Sequence, residues 1–254
     1  MTTKAHRNAA AQILLALTAL LAAGRAVAVL SSTSQGVYLN DIANRIMSGD
    51  SFSQESIPSM ERSLSTVQNR SICDPLEVRG AAIIRLRLYE DAVNASDIRL
   101  ADQRLQLLRS STDVALACVP AEGFLWFIRY WTAVRADIPA HNHFEELRMS
   151  YELAPFEGWI ALRRNAYALA VYKTLPADVK EMAVKEFVAI VASGFIAEAV
   201  NVLRGSAWDI RGELLPHLER VRMDMRLRLE KRLRSEGLPL EIPGVESKEF
   251  RPWQ

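Results

Sequence analysis

From Tyr38 to Leu233 the apolar residues of this chain recur at spacings of three and four, and the gaps between these runs fall on Pro, Gly, Asn and Asp. That periodicity marks a succession of helices, each with one face to bury. Tyr38, Ile42, Ile46 and Met47 form a first stripe, closed by Gly49-Asp50, and Ile57, Met60, Leu64 and Val67 form a second. Asp74 before Pro75 pairs a helix cap with a residue pre-set for the first turn; Val78, Ala82, Ile83, Leu86 and Ala92 follow until Asn94 and Ser96 break the pattern. A fourth helix is expected from Ile98 to Cys118, stopped by Pro120, and others over 122–136, 144–153, 157–172, 177–193, 196–203 and 207–234. No run alternates apolar and polar residues between turn pairs, so the expected fold is all-α. The sequence divides into a leader over 1–30, a polar spacer over 31–36, a helical domain over 37–236 and an extended, Pro-containing tail over 237–254.

The leader supplies an address. Lys4 and Arg7 precede Ala9 to Gly24, which carries no charge and only Gln12 and Thr18 as polar interruptions. This is the basic, then apolar order of a signal sequence. Sixteen residues are at the short end for a bilayer core of about 30 Å, but Arg25 can snorkel and Ala26 to Leu30 extend the apolar run. Ala26-Val27-Ala28 also offers the small residues a signal peptidase reads. Either a retained single-pass anchor in the inner membrane or a cleaved leader is expected, and both send the rest of the chain to the periplasm because the positive flank stays inside. A buried helix of a cytosolic protein is the third alternative.

Two phrases repeat: Pro120-Ala121-Glu122-Gly123-Phe124 and Pro155-Phe156-Glu157-Gly158-Trp159, 35 residues apart. The offset is close to the 34-residue tetratricopeptide period. Gly194-Phe195 before Ile196 to Ala199 resembles the junction between the two helices of such a repeat, although Arg163 and Ala166 stand where that repeat has Gly and Tyr. An irregular helical bundle is the competing architecture. With the leader, the segment 153–165 and the closing Pro243-Gly244-Val245 and Arg251-Pro252-Trp253, the chain resembles small membrane-anchored, tetratricopeptide-like helical proteins of alphaproteobacterial surface-polysaccharide systems. The resemblance implies an α-solenoid of degenerate helix pairs and a non-enzymatic scaffold that assists synthesis, polymerisation or export of an exopolysaccharide or O-antigen. Its implied partners are envelope proteins of that system or the glycan itself. Candidate groove residues, on the helices of the two clearest copies, are Arg129, Tyr130, Arg163, Arg164, Asn165 and Tyr167.

Signatures of chemistry are sparse. The sequence contains no phosphate-binding loop, dinucleotide fingerprint, His-Glu-x-x-His pair or nucleophile elbow, so no cofactor is expected. His141 and His143 lie near Glu145 and Glu146, but two His at i and i+2 in a polar connection are ordinary solvated residues, and no metal site is expected. Carboxylates such as Glu145, Glu146, Glu152 and Glu157 leave a helical glycosidase or lytic enzyme as the alternative function, beside a generic exported binding protein.

Cys73 and Cys118 are the only thiols. In an oxidising compartment they can staple the ends of two predicted helices, closing a loop worth about 4 kcal/mol in the chain-entropy model; the alternative is two buried, unpaired cysteines. From Glu219 to Arg234 seven bases face three acids, with Leu218, Val221, Met225, Leu229 and Leu233 as an apolar stripe. That helix is suited to an anionic lipid, an acidic glycan, a partner, or simply a wet capping face. The net charge of +1 conceals this asymmetry: residues 1–28 hold three bases and no acid, leaving 28 bases against 30 acids beyond them. Near-neutrality and the exported topology both argue against a nucleic-acid partner.

Overall fold

The computed structural model describes residues 2–50, 53–68, 73–155 and 157–246, with the side chains of 2–14, 26–35, 54 and 68 outside that description. Every regular element among the described residues is helical: α1 (Thr2–Met47), α2 (Ile57–Gln68), α3 (Pro75–Asn94), α4 (Ile98–Cys118), α5 (Gly123–Arg135), α6 (Phe144–Leu153), α7 (Gly158–Ala170), α8 (Ala177–Ala192), α9 (Ile196–Arg204), α10 (Arg211–Leu214) and α11 (Met223–Ser235), joined by turns and short 3-10 segments. The all-α fold is therefore observed. The chain forms two compact units, Met1–Pro120 and Ala121–Gln254.

In the first unit the C-terminal part of α1 lies on α3, and α3 is flanked by α2 and α4. Leu39, Ile42 and Ala43 of α1 meet a core built from Leu64, Val78, Ala82, Ile84 and Leu108. Gly80 makes the α1–α3 approach possible, because a Cβ there would sit 2.9 Å from the Leu39 carbonyl group. Asp74 caps α3, its carboxylate accepting from Leu76 N at 3.0 Å and Glu77 N at 3.3 Å. A left-handed Ser96 (φ 57°) then turns the chain into α4, which Asp97 caps through Leu100 N. Cys73 and Cys118, flanking this α3–α4 pair, are joined in a disulfide with their Cα atoms 5.5 Å apart. Arg85 is buried and donates to Leu64 O at 3.3 Å; burial pushes its guanidinium below the usual value, and Glu61 works in the opposite direction.

One sequence expectation changes here. The backbone of α1 runs unbroken through 31–36, so the polar spacer is helical and the first folded stripe continues the leader helix. Polar residues alone do not interrupt a helix, and 31–35 contain neither Pro nor Gly. Among the described residues no helix is long and apolar enough to cross a membrane. Most side chains of the proposed anchor lie outside the described residues; those of 15–25 are exposed, with Leu15, Leu17, Leu20 and Leu21 between 52 and 70 % accessible.

In the second unit α5 packs on α6 and α7 on α8, while α5 also touches α7 and α6 touches α8; α9 lies against α7, α8 and α11. Phe124, Leu125, Ile128, Leu147, Ile160, Leu169, Phe187 and Leu203 fill the interior. The helix expected over 207–234 is instead broken into a turn at Trp208–Ile210, the short α10, a 3-10 segment at Leu215–Arg220 and α11. Pro216 brings no amide hydrogen to a helix, and Val221 is extended (φ −82°, ψ 143°) where the chain re-enters one. Leu218 and Val221 are thus buried ahead of α11, which turns Leu229 and Leu233 inward. Over 238–246 the tail is non-helical; Ile242 is buried and Arg226 donates to Pro243 O. The closing Arg251-Pro252-Trp253 lies outside the described residues with the rest of 247–254.

Candidate functional site

Arg164 is the most deeply buried charge of the second unit, at 0 % exposure. The α7 residues Ile160, Ala161, Ala168 and Leu169 are buried with helical spacing, and Arg164 and Asn165 stand at the positions between them that a core helix would fill with apolar groups. On α8, Val179, Ala183 and Ile190 define the inward face and Glu186 occupies it, 6 % exposed. The folding of both helices thus brings one cation and one carboxylate together inside the unit.

The guanidinium is fully used. Its Nε donates to Glu186 Oε1 at 3.2 Å and Nη2 reinforces the same carboxylate. Nη1 donates to Ser150 Oγ at 2.8 Å and to the Ser150 carbonyl, and Nη2 to Ala154 O at 3.0 Å. Those two carbonyls lie at the C-terminal end of α6, where the helix dipole favours positive charge, and the Ser150 carbonyl also accepts from Ala154 N at 3.1 Å. Arg164 therefore ties α6, α7 and α8 together while capping α6. Its plane stacks 4.0 Å over the Tyr151 ring.

The rest of the cluster is less satisfied. Asn165 Nδ2 donates to Ala183 O at 2.8 Å, but its Oδ1 and the Tyr151 hydroxyl are buried without a well-formed hydrogen bond. Burial pushes the Tyr151 phenol well above its usual range, and the nearby Glu186 charge adds to this. Burial also raises the Glu186 carboxyl, with Arg164 opposing the shift. An ion pair that keeps the carboxylate charged is here set against a dry site that favours its protonated form.

A cavity of about 190 Å³ opens beside this cluster. Pro155, Ala161, Leu162, Ile190 and Phe195 supply apolar walls, and Glu186 its carboxylate. Gly158, at the start of α7, also borders it, and a Cβ there would meet nothing within 4 Å. Glycoside hydrolysis by two carboxylates needs a pair roughly 5 to 10 Å apart. The lining contains one, and Arg164 engages it. The arrangement suits binding a small apolar group more than acid–base chemistry.

Of the groove residues expected from sequence, Tyr130, Arg164 and Asn165 are 1 %, 0 % and 0 % exposed and belong to the core, because their helical positions fall on the inward faces of α5 and α7. Burial pushes the Tyr130 phenol up to about 12. Arg129 and Arg163 are exposed; Arg129 lies 3.7 Å from Glu146 and 5.9 Å from the Trp126 ring. Tyr167 is half-buried, 6.0 Å from Phe127 and 6.4 Å from Trp131 between ring centres, with Arg135 at its hydroxyl. His143 approaches Glu146 at 2.9 Å while His141 is exposed, and among the described residues no three metal-binding side chains converge. Ser150, Tyr151 and Glu186 were not foreseen; the available signal was a glutamate in register with Val179, Ala183 and Ile190 on a core face.

No protein-family model matches this chain, and no curated protein or solved structure is significantly similar to it.

Proposed function

We propose that the chain is a non-enzymatic interaction protein: a helical-repeat scaffold, tethered to the inner membrane by its leader, that holds components of a surface-polysaccharide assembly system in the periplasm. The observation that carries the repeat reading is the equivalence of the two Pro-x-Glu-Gly-aromatic starts. Glu122 (φ −87°, ψ 100°) and Glu157 (φ −79°, ψ 97°) take the same backbone conformation, and each carbonyl accepts from the amide three residues on, Leu125 and Ile160, at 3.0 Å. The aromatics that follow, Phe124 and Trp159, meet with their centres 4.5 Å apart. First helices touch first helices and second touch second, the pattern by which stacked pairs bury their cores against neighbours and leave a face free. The order of Lys4, Arg7 and the uncharged Ala9 to Gly24 supports the tether. The polysaccharide context rests on the resemblance of the sequence phrases alone.

The test is photo-crosslinking in living cells from Arg129 and Arg163, both exposed, combined with deletion of the gene and measurement of surface-polysaccharide chain length. Crosslinks to envelope components and altered chain length are expected. Unchanged polysaccharide and no envelope partner would overturn the proposal. A lytic or glycosidase-like role would instead appear as glycan cleavage lost in Glu186→Gln with the fold retained.

A further inference from the structure

The outer face of α11 has properties the scaffold reading leaves unused. Leu229 and Leu233 point inward at 0 % exposure, and half a turn away Leu227 and Lys231, four residues apart, stand outward with Arg228 beside them. Met223, one turn before Leu227, continues the line; Met223 and Leu227 are 44 % and 49 % exposed. Several bases of this segment are neutralised locally: Arg222 by Asp224 at 2.9 Å, Arg232 by Glu236 at 2.6 Å, and Arg234 by Glu230. Arg228 and Lys231 of this helix have no such partner among the described residues and are exposed. Lone exposed leucines are commonplace, and so are solvated charges. Two apolar side chains one turn apart, bordered by two uncompensated cations, form a narrower combination.

We propose that this face docks on an anionic bilayer surface, Met223 and Leu227 entering below the headgroups while Arg228 and Lys231 pair with lipid phosphates. A soluble polyanion would use the cations and leave the apolar pair in water; a bilayer uses both. Each basic residue near an anionic membrane contributes about 1 kcal/mol, roughly a fivefold factor in partition. The contact is separate from the leader, and it does not depend on which envelope component the scaffold holds.

The full chain is labelled with an environment-sensitive fluorophore at Ser235→Cys, an exposed site on α11 whose new thiol is free while Cys73 and Cys118 are bridged. It is reconstituted with vesicles of phosphatidylcholine, with or without phosphatidylglycerol. Emission is expected to shift to shorter wavelength only when phosphatidylglycerol is present, and to return in high salt. Arg228→Gln with Lys231→Gln lowers the docked-to-undocked ratio about thirtyfold. Leu227→Ser, which keeps every charge, also reduces the shift. All three substituted sites are exposed, and circular dichroism checks that the helices persist. Equal emission in the two vesicle types, or an unchanged shift in the double variant, overturns the proposal. An equal shift with alginate in the absence of anionic lipid also overturns it and assigns the face to a glycan.

Discussion

Replacing Arg164 by Met removes a buried cation while keeping a long side chain in place. What remains is Glu186, 6 % exposed, with no counterion. Stranding one partner of a buried pair costs about 3 to 5 kcal/mol. The variant can limit that loss by holding Glu186 protonated in the folded state. For a carboxyl of ordinary value 4.5 at pH 7, this costs about 3.4 kcal/mol, at about 1.4 per unit. Loss of the donor to Ala154 O adds about 1 kcal/mol, so Arg164→Met should be destabilised by about 4 kcal/mol at pH 7. The sign of the pH dependence follows. A carboxyl raised in the folded state takes up its proton before the unfolded chain does, so stability rises as pH falls towards 4.5 and is level below it. The deficit should shrink by about 2.7 kcal/mol between pH 7 and pH 5. The parent chain changes in the same direction but less, since Arg164 opposes the shift that burial causes. Arg164→Met with Glu186→Leu removes both charges and should return to within about 1 kcal/mol of the parent, without the pH dependence. Urea unfolding of the parent, the two single variants Arg164→Met and Glu186→Leu, and the double variant, followed by circular dichroism at both pH values, gives all four corners of the cycle. A single-variant loss below about 1 kcal/mol, or a deficit that does not shrink in acid, would refute the reasoning that Arg164 exists to neutralise Glu186 and cap α6.

Other outcomes follow from the same structure. Cys73→Ser with Cys118→Ser opens a loop spanning 45 positions and should cost about 4 kcal/mol, read as a lower urea midpoint that reductant reproduces in the parent and leaves unaltered in the variant. Gly123→Ala should destabilise by about 1 to 3 kcal/mol because its Cβ would lie 2.6 Å from Ala154 Cβ, whereas Gly158→Ala meets open space and should stay within about 0.5 kcal/mol of the parent or gain slightly; equal effects in thermal unfolding would count against the packing described. Tyr130, raised to about 12 by burial, should remain neutral in the folded chain past the ordinary 10.0, and its share of stability should fade as pH rises from 10 towards 12. Ultraviolet titration of the parent against Tyr130→Phe measures it; a Tyr130 signal at the ordinary value would contradict its burial.

The helix boundaries were legible where a local signal exists. Asp74-Pro75, Asp97 and the pair Gly194-Phe195 bracket helices by capping chemistry that acts within a few residues, and Gly194 (φ 84°) takes the left-handed conformation that ends α8. The boundaries that failed lacked such a signal or carried a misleading one. The spacer at 31–36 is polar but contains nothing that stops a helix, and 207–234 has a continuous apolar period that hides the break at Pro216. The interior ion pair was half visible. In the sequence Arg164 reads as a charge on a repeat helix and so as a groove residue, since a basic residue belongs on the surface unless something inside neutralises it. Its partner lies 22 residues along the chain, and only the packing of α7 on α8 makes the two neighbours.

The cavity arises where the second copy of the repeated phrase departs from the first. Gly123 is crowded by Ala154 and the Ser150 carbonyl at the end of α6, which explains why a glycine is needed there. At the 35-residue offset, Ala154 corresponds to Ala189, and Ala189 lines the cavity instead of closing on Gly158. The second helix of the first pair, α6, has 10 residues and that of the second pair, α8, has 16, so α8 runs on past the point where α6 stops. The same offset takes Arg129, exposed near Glu146, to Arg164, buried on Glu186. Glu186 stands on α8 where the same offset places Tyr151 on α6, and the arginine of the second copy turns inward to balance that charge. A shared phrase thus sets where two helices begin, while the exchange of Tyr151 for Glu186 at the equivalent position of the helix that follows accounts for the ion pair buried in the second copy.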